Sequence, residues 1–171
     1  MLWGKEKTVE TQQLAMLDES QLSVFYPKIQ EFLNQVNQIV LDKNQQTQLA
    51  LCSLLAGGHI LFEDLPGLGK TTLASSLAHL AGLQFKRIQF TNDMLASDVI
   101  GVNMFNQKEH LFEFKQGPIF TQILLADEIN RCSPKTQSAL LEAMEEGVVT
   151  IDANRYVLPQ PFWVIATQNP L

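Results

Sequence analysis

Cysteine is scarce in this chain, with only Cys52 and Cys132 among its 171 residues. The two lie far apart, and neither has a second cysteine or a histidine at the spacing of a zinc ligand set. This arrangement indicates neither a disulfide framework nor a structural zinc site. We therefore expect a protein of a reducing compartment.

Basic residues are also few, because 12 Lys and Arg stand against 18 Asp and Glu, which gives a formal net charge of −6. Lys86 and Arg87 form the only adjacent basic pair. Proteins that bind nucleic acids cluster cations to contact phosphates. We therefore expect no nucleic acid as the main partner.

Long apolar runs are missing. No stretch approaches the roughly 18 consecutive apolar residues of a membrane span, and the first twenty residues, MLWGKEKTVETQQLAMLDES, lack the apolar core of a signal peptide. Hydrophobic residues nevertheless make up 46% of the chain and charged residues 18%, as in globular domains. We expect a soluble cytoplasmic protein without a membrane span.

The N-terminal part of the chain predicts a leader and two helices. Residues 1–26 are polar and without clear periodicity, and we interpret them as a mobile or loosely packed leader before a core of residues 27–171. Apolar positions from Lys28 to Val40 recur at spacings of three and four, which predicts an amphipathic helix. A second helix is predicted for residues 45–56, ended by two glycines.

The next segment predicts a βαβ unit. Residues 59–64 form a short apolar run, residues 70–81 carry helical periodicity, and residues 84–90 form a second apolar run. Two further buried strands are predicted at residues 123–126 and 162–166. Strands joined through helices indicate a parallel sheet with helices on both faces.

The loop between the first strand and its helix, residues 65–71, reads LPGLGKT. Its glycines allow a tight turn whose N–H groups approach phosphate oxygens, and the following helix N-terminus adds positive potential. Lys70 can then reach the β- and γ-phosphates, while Thr71 can offer its hydroxyl to Mg²⁺. Asp64 stands where the strict phosphate-loop pattern has its first glycine, so a chance GKT remains an alternative for the loop alone. The predicted nucleotide-contacting positions are Pro66, Gly67, Leu68, Gly69, Lys70, Thr71 and Thr72.

Polar side chains end the last two predicted strands. Asp127 and Glu128 follow the apolar run ILLA, and Asn169 follows FWVIATQ. Because parallel strands end at one sheet edge, Asp127 is predicted near a metal bound by Thr71, with Glu128 able to polarise a water. A solvated carboxylate pair is the alternative. Asn169 can donate to a γ-phosphate or orient water without carrying charge.

These segments resemble a known family. EDLPGLGKTTLA, RIQFT, GPIFTQILLADEINR, SPKTQSALLEAMEEG and PQPFWVIATQNP are similar to the MoxR branch of AAA+ ATPases, from about residue 57 to residue 171. That branch also has an Asp at the position of Asp64. The resemblance implies that the Walker A contacts are Gly67, Gly69, Lys70 and Thr71. It also implies that Asp127 and Glu128 form the Walker B pair and that Asn169 is the sensor 1 residue.

The resemblance implies a three-layer αβα P-loop core with strand order 5-1-4-3-2. It also implies an ATP- and Mg²⁺-dependent homo-oligomer, usually a hexameric ring, that acts like a chaperone to mature or remodel other proteins, often with a von Willebrand A domain partner. In the family the fifth strand, the arginine finger and the helical lid follow sensor 1, so we expect an AAA+ core incomplete at its C-terminus. The alternative is a nucleotide-binding structural or regulatory module without turnover.

Two hairpins are predicted besides the core. Residues 102–115 are similar to the insert in the second helix of this clade, and residues 148–158 to the hairpin before sensor 1. Such hairpins face the pore or the partner in related rings, although a plain surface hairpin is equally compatible with the pattern. The segment VLDKN, residues 40–44, departs from the glycine-containing adenine-contact box of the family, which leaves base recognition open.

The helix after the carboxylate pair has Ser133 as a predicted N-cap and Gly147 as its C-terminal glycine. Its last turns carry Glu142, Glu145 and Glu146, where the helix dipole disfavours anions. Either the glutamates form a solvated face, or cations of a neighbouring subunit compensate them.

Overall fold

The structure, a computed structural model, describes residues 19–63 and 69–169, which form five α-helices and eight strands. In chain order these are α1 (Glu19–Ile39), α2 (Asn44–Leu55), β1 (Ile60–Glu63), α3 (Lys70–Leu80), β2 (Phe85–Gln89), α4 (Ala96–Ile100), β3 (Gly101–Asn106), β4 (Leu111–Gln116), β5 (Ile123–Asp127), α5 (Pro134–Glu146), β6 (Val148–Ile151), β7 (Asn154–Val157) and β8 (Trp163–Gln168). A short 3₁₀ turn, Ile129–Arg131, follows β5. None of the described helices is long and apolar enough to cross a bilayer.

A parallel sheet in the order β1-β8-β5-β2 forms the centre of the fold. This order is the 1-4-3-2 part of the predicted AAA+ sheet, so the predicted fold class is confirmed. β5 and β8 are the inner strands, and their apolar residues are almost entirely buried. Near-continuous apolar runs are typical of parallel strands that are covered on both faces.

Helices cover both faces of the sheet. Ile123 and Leu125 of β5 pack with α1, α2 and α3, whereas Leu124 and Ala126 pack with α4, α5 and β6. Successive strand residues point to opposite faces, so one strand contributes to two cores. This packing fixes the carboxyl end of β5, where the predicted acidic pair begins.

α1 begins at Glu19, and the predicted start of this helix after Pro27 was wrong. Pro27 lies inside the helix, where it removes one N–H donor. Residues 19–28 are all exposed, and full burial begins only at Leu33 and Val36. The apolar periodicity therefore marked only the packed part of the helix. Residues 1–18 of the predicted leader lie outside the described residues, and the division at residue 26 stays a prediction.

Both predicted hairpins are present and contact each other. β3 pairs with β4 and β6 with β7, each in antiparallel register. The rings of Phe114 and Tyr156 lie 4.0 Å apart, and Asn103 Nδ2 donates to Asp152 Oδ2 at 2.6 Å. At the base of the first hairpin Gly101 has φ +105°, and a Cβ there would lie 2.5 Å from the carbonyl oxygen of Lys115. Only glycine fits this backbone.

α5 has the predicted caps. Ser133 Oγ accepts the N–H of Thr136, and Gly147 has a left-handed conformation. Glu146 at the last turn pairs with Arg155 of β7 at 3.2 Å. The cation beside this glutamate therefore belongs to the same chain, and because both side chains are largely exposed the pair contributes little stability.

Candidate active site

A cavity of about 420 Å³ lies at the carboxyl ends of β2, β5 and β8, against the N-terminus of α3. Residues from all four elements line it: Gly69, Lys70, Thr71, Thr72, Arg87, Gln89, Asp127, Glu128, Thr167 and Asn169. The structure thus brings together every predicted site residue that it describes. Pro66, Gly67, Leu68 and Asp64 lie outside the described residues.

The described part of the predicted phosphate loop leads directly into α3. Gly69 has φ +77°, a left-handed conformation that glycine adopts without strain, and Lys70 is the first helical residue. Among residues 19–63 and 69–169, no side chain caps this helix end. The helix dipole makes this end of α3 attractive to anions.

Asp127 ends β5 inside the cavity with both carboxylate oxygens hydrogen-bonded. Thr167 Oγ1 donates to Oδ1, while Arg87 donates to Oδ2 from Nε at 3.2 Å and from Nη2 at 2.6 Å. Burial is the largest single influence on this carboxyl and favours its neutral form. The hydrogen bonds from Thr167 and Arg87 and the charges of Arg87 and Lys70 outweigh burial together, so the pKa of Asp127 lies below its ordinary value.

Glu128 has a left-handed backbone with φ +56° and ψ +46°. A non-glycine residue in a sparsely populated region costs about 1–3 kcal/mol and persists where its surroundings impose it. Here Thr167 Oγ1 accepts the N–H of Glu128 at 3.0 Å. The turn directs the carboxylate into the cavity rather than along the strand.

Three donors hold the carboxylate of Glu128. Asn169 Nδ2 donates to Oε1 at 3.0 Å, and Arg131 Nε lies 3.1 Å from Oε2. Gln89 Nε2 reaches Oε2 at 3.5 Å. The side chain of Glu128 is only 17% exposed, so it is both oriented and partly shielded from bulk water.

Sequence reasoning missed Arg87, Gln89, Arg131 and Thr167. Arg87 and Gln89 are two positions apart on β2 and therefore share one face, and β2 lies beside β5 with Gln89 opposite Asp127. Thr167 lies on β8, two positions before Asn169, which follows the end of that strand. Knowledge of the strand order with this alternation identifies all but Arg131, whose position depends on the turn after β5.

A small recess adjoins the cavity at Gly69 and Lys70. Its described lining includes Val40, Lys43, Gln46 and Phe62. Asp42, inside the segment that departs from the family's glycine-containing box, has φ +58°. The backbone therefore adopts the conformation for which glycine is usual, and Asp is one of the residues that tolerate it.

The oxygen donors of the cavity fit a divalent cation that is coordinated by protein side chains together with a phosphate. Within residues 19–63 and 69–169, no group of three or more His, Cys, Asp or Glu side chains could hold a metal ion by itself. Asp127 and Thr71 offer one carboxylate and one hydroxyl on the same cavity. Mg²⁺ is usually bound by one or two such side chains together with substrate phosphates and water.

The chain is similar in sequence to a known protein family and to several known proteins. The family described as "ATPase family associated with various cellular activities (AAA)" matches residues 59–171. The chain is 53% identical to the Bacillus subtilis protein YeaC over 85% of this chain and 46% of that protein. It is 42% identical to Chaperone MoxR1 of Mycobacterium tuberculosis, over 80% of this chain and 36% of that protein.

More distant relatives and a solved structure agree. Protein MoxR of Paracoccus denitrificans is 28% identical over 90% of this chain and 46% of that protein. A crystal structure of a candidate ATPase from Cytophaga hutchinsonii has a TM-score of 0.78 and 46% identity, covering 89% of this chain and 46% of that one. The chain thus spans less than half the length of these relatives. By its family match, its sheet order and these relatives, it belongs to the MoxR family of AAA+ ATPases.

Proposed function

We propose that this cavity binds ATP with Mg²⁺ and hydrolyses the γ-phosphate. The observation that carries the proposal is the placement of Lys70, Asp127 and Glu128 around one cavity, with Glu128 oriented by Asn169. Lysine at a helix N-terminus favours polyphosphate, and two neighbouring carboxylates at a strand end serve different roles.

Each side chain has a distinct role in this proposal. Lys70 and the first N–H groups of α3 hold the phosphates, and Thr71 with Asp127 would hold Mg²⁺. When bound, the metal supplies positive charge that stabilises the phosphate oxygens. Asn169 keeps Glu128 in place and can donate to the γ-phosphate or to the attacking water.

Glu128 acts as the general base. Its carboxylate takes a proton from water as the water oxygen bonds to the γ-phosphorus. The bond between that phosphorus and the bridging oxygen breaks, and ADP leaves with the electron pair. The proton then passes from Glu128 to solvent, which restores the carboxylate.

The proposal extends to the assembled protein. The relatives include a protein named Chaperone MoxR1, and this name supports chaperone-like remodelling of partner proteins. The family resemblance of the sequence is the basis for proposing that a homo-oligomeric, hexameric ring carries out this remodelling. A von Willebrand A domain protein is the proposed partner class. A binding module without turnover is less well supported, because it has no need of a glutamate held by Asn169 and Arg131.

Phosphate release with ATP tests the function. The wild-type protein is expected to release phosphate in Mg²⁺ and to lose that activity in EDTA. Asp127→Asn is expected to release no phosphate, either in Mg²⁺ or in EDTA. Asp93→Asn, at an exposed residue outside the cavity, is expected to release phosphate in Mg²⁺ as the wild-type protein does. Nucleotide binding by the wild-type protein without any Mg²⁺-dependent phosphate release would favour the module instead.

A further inference from the structure

Arg87 forms an ion pair inside the cavity that the proposed roles do not use. Its Nε and Nη2 both donate to the same oxygen of Asp127, Oδ2, at 3.2 and 2.6 Å. Two of the five N–H groups of the guanidinium are thus directed to one carboxylate oxygen. The side chain is 46% exposed and lines the cavity, so it lies beside the space that a ligand would occupy.

The charged side chains that line the described part of the cavity are balanced in sign. Among the described lining residues two are cations, Lys70 and Arg87, and two are anions, Asp127 and Glu128. Thr167 holds the other oxygen of Asp127. The carboxylate of Asp127 therefore has a partner of opposite charge within the chain.

A divalent cation and this guanidinium need the same carboxylate. Two cations within a few ångströms of each other repel strongly in a partly shielded cavity. Binding of a metal at Asp127 therefore requires Arg87 to move away or to weaken its contact. When only a fraction of the protein is in the conformation that binds a ligand, the apparent affinity for that ligand falls in proportion to this fraction.

We propose that Arg87 is a positioning residue, an internal counter-cation that holds Asp127 in the nucleotide-free protein and competes there with the divalent cation. The proposal rests on the proposed function of the cavity. Arg87 keeps Asp127 compensated when no ligand is bound, and it disfavours the metal alone relative to the metal with its nucleotide. The polyphosphate brings the negative charge to which the displaced guanidinium can donate.

Removal of Arg87 has two opposite consequences. Without its competitor, Asp127 is expected to bind a divalent cation more tightly. Without its counter-cation, Asp127 repels the phosphates of a metal-free nucleotide, whose affinity falls. A purely structural role for Arg87 predicts neither pattern.

The first test measures Mn²⁺ binding without nucleotide, by electron paramagnetic resonance of free Mn²⁺. Arg87→Gln is expected to bind Mn²⁺ on the order of tenfold more tightly than wild type, within the usual range of coupling between two ligands. Lys86→Gln is the matched control, because it removes the same charge from an adjacent exposed position of β2. The additional binding is expected to disappear in the double variant Arg87→Gln, Asp127→Asn. Equal Mn²⁺ affinity in Arg87→Gln and Lys86→Gln would overturn the proposal.

The second test measures the Kd of ADP in EDTA and in Mg²⁺. The Kd in EDTA divided by the Kd in Mg²⁺ is expected to rise on the order of tenfold in Arg87→Gln. In Lys86→Gln this ratio is expected to stay at the wild-type value. Thermal unfolding checks each variant. If Arg87→Gln does not fold, Arg87→Lys replaces it in the test, because an ammonium cannot reproduce the paired N–H contacts of the guanidinium. The Arg87→Lys variant is expected to bind Mn²⁺ several-fold more tightly than wild type.

The two hypotheses fail in different ways. Wild-type protein that binds no nucleotide under any condition contradicts the proposed function. Wild-type protein that binds nucleotide with Mg²⁺, together with an Arg87→Gln variant that behaves like Lys86→Gln, contradicts only the competition between Arg87 and the metal.

Discussion

The hydroxyl of Thr167 on β8 donates a hydrogen bond to the carboxylate of Asp127 on the neighbouring strand β5. The hydroxyl oxygen of Thr167 also accepts a hydrogen bond from the backbone N–H of Glu128 at 3.0 Å. Thr167 is only 2% exposed, so neither contact can be replaced by bulk water. One buried hydroxyl therefore fixes both acidic residues of the site.

Replacement of Thr167 by Val is expected to destabilise the protein by about 1–3 kcal/mol, because Val has a similar shape but leaves a buried N–H without its acceptor. Thr167→Ser keeps the hydroxyl and is expected to recover most of the loss. Urea unfolding measures both variants. Equal stability of the Val and Ser variants would show that the hydrogen bonds of this hydroxyl are unimportant.

The same substitution alters the dependence of stability on pH. The folded-state pKa of Asp127 lies below its ordinary value of 3.8, so its ionised form contributes stability that is present above that value. This contribution is lost as the pH falls from about 3.8 through the lower folded-state pKa. In Thr167→Val we expect the pKa to rise and this loss to become smaller, measured as the unfolding free energy between neutral and acidic pH.

Lys70→Ala is expected to weaken ATP binding by a factor of about ten or more, because it removes a charge-assisted contact to phosphate. Lys86→Ala removes an equal charge from β2 on the outside of the cavity and is expected to bind like wild type. Titration with a fluorescent nucleotide compares the two. Equal affinities would move the phosphate site away from the N-terminus of α3.

The tip of the first hairpin is expected to matter for assembly or partner handling and not for nucleotide binding. Phe105 and Phe112 face each other across the strands at 5.3 Å, and Phe112 is 70% exposed. Phe112→Ser is expected to leave nucleotide affinity and thermal stability near the wild-type values while it alters oligomer size or partner binding. Loss of nucleotide binding in this variant would contradict the placement of the hairpin outside the site.

Phe114, in contrast, packs against Phe120 and Tyr156 and belongs to the fold. Phe114→Ala is therefore expected to reduce stability by a few kcal/mol, as large-to-small changes in packed positions do. The two phenylalanines of one strand have different roles because they lie at different distances from the core.

The two cysteines are expected to differ in reactivity. Cys52 is exposed, whereas burial of Cys132 raises the pKa of its thiol above the ordinary value of 9.0. Near neutral pH we expect iodoacetamide to modify Cys52 at least about tenfold faster, because alkylation needs an accessible thiolate. Mass spectrometry of Cys52→Ser isolates the slow reaction, which is expected to accelerate in urea. Equal rates in the native protein would contradict the packing of the segment after β5.

Much of the site follows from sequence pattern because it depends on strand ends. The apolar runs ending in Asp127 and Asn169 predict where two neighbouring strands stop, and parallel pairing brings these ends together. The cap residues Ser133 and Gly147 and the two hairpins likewise depend on local rules. Each of these features is set by a few adjacent residues.

What the sequence did not predict depends on neighbours distant in sequence. Arg87 contacts Asp127 only because β2 pairs with β5, and Thr167 contacts Glu128 only because β8 lies on the other side of β5. The first helix extends to Glu19 without packed apolar residues in its first turns, so periodicity had nothing to detect there. Tertiary placement, rather than propensity, decides these features.

The most direct test of the account follows the fate of bound ATP in a single turnover. Protein in excess over ATP and Mg²⁺ is quenched at intervals, and the bound nucleotide is identified by chromatography. Wild type and the exposed control Glu142→Gln are expected to convert ATP to ADP, whereas Glu128→Gln binds ATP and converts it at least about a hundredfold more slowly, because its base is gone. Conversion of ATP by Glu128→Gln at the wild-type rate would contradict the assignment of this cavity as the hydrolytic site.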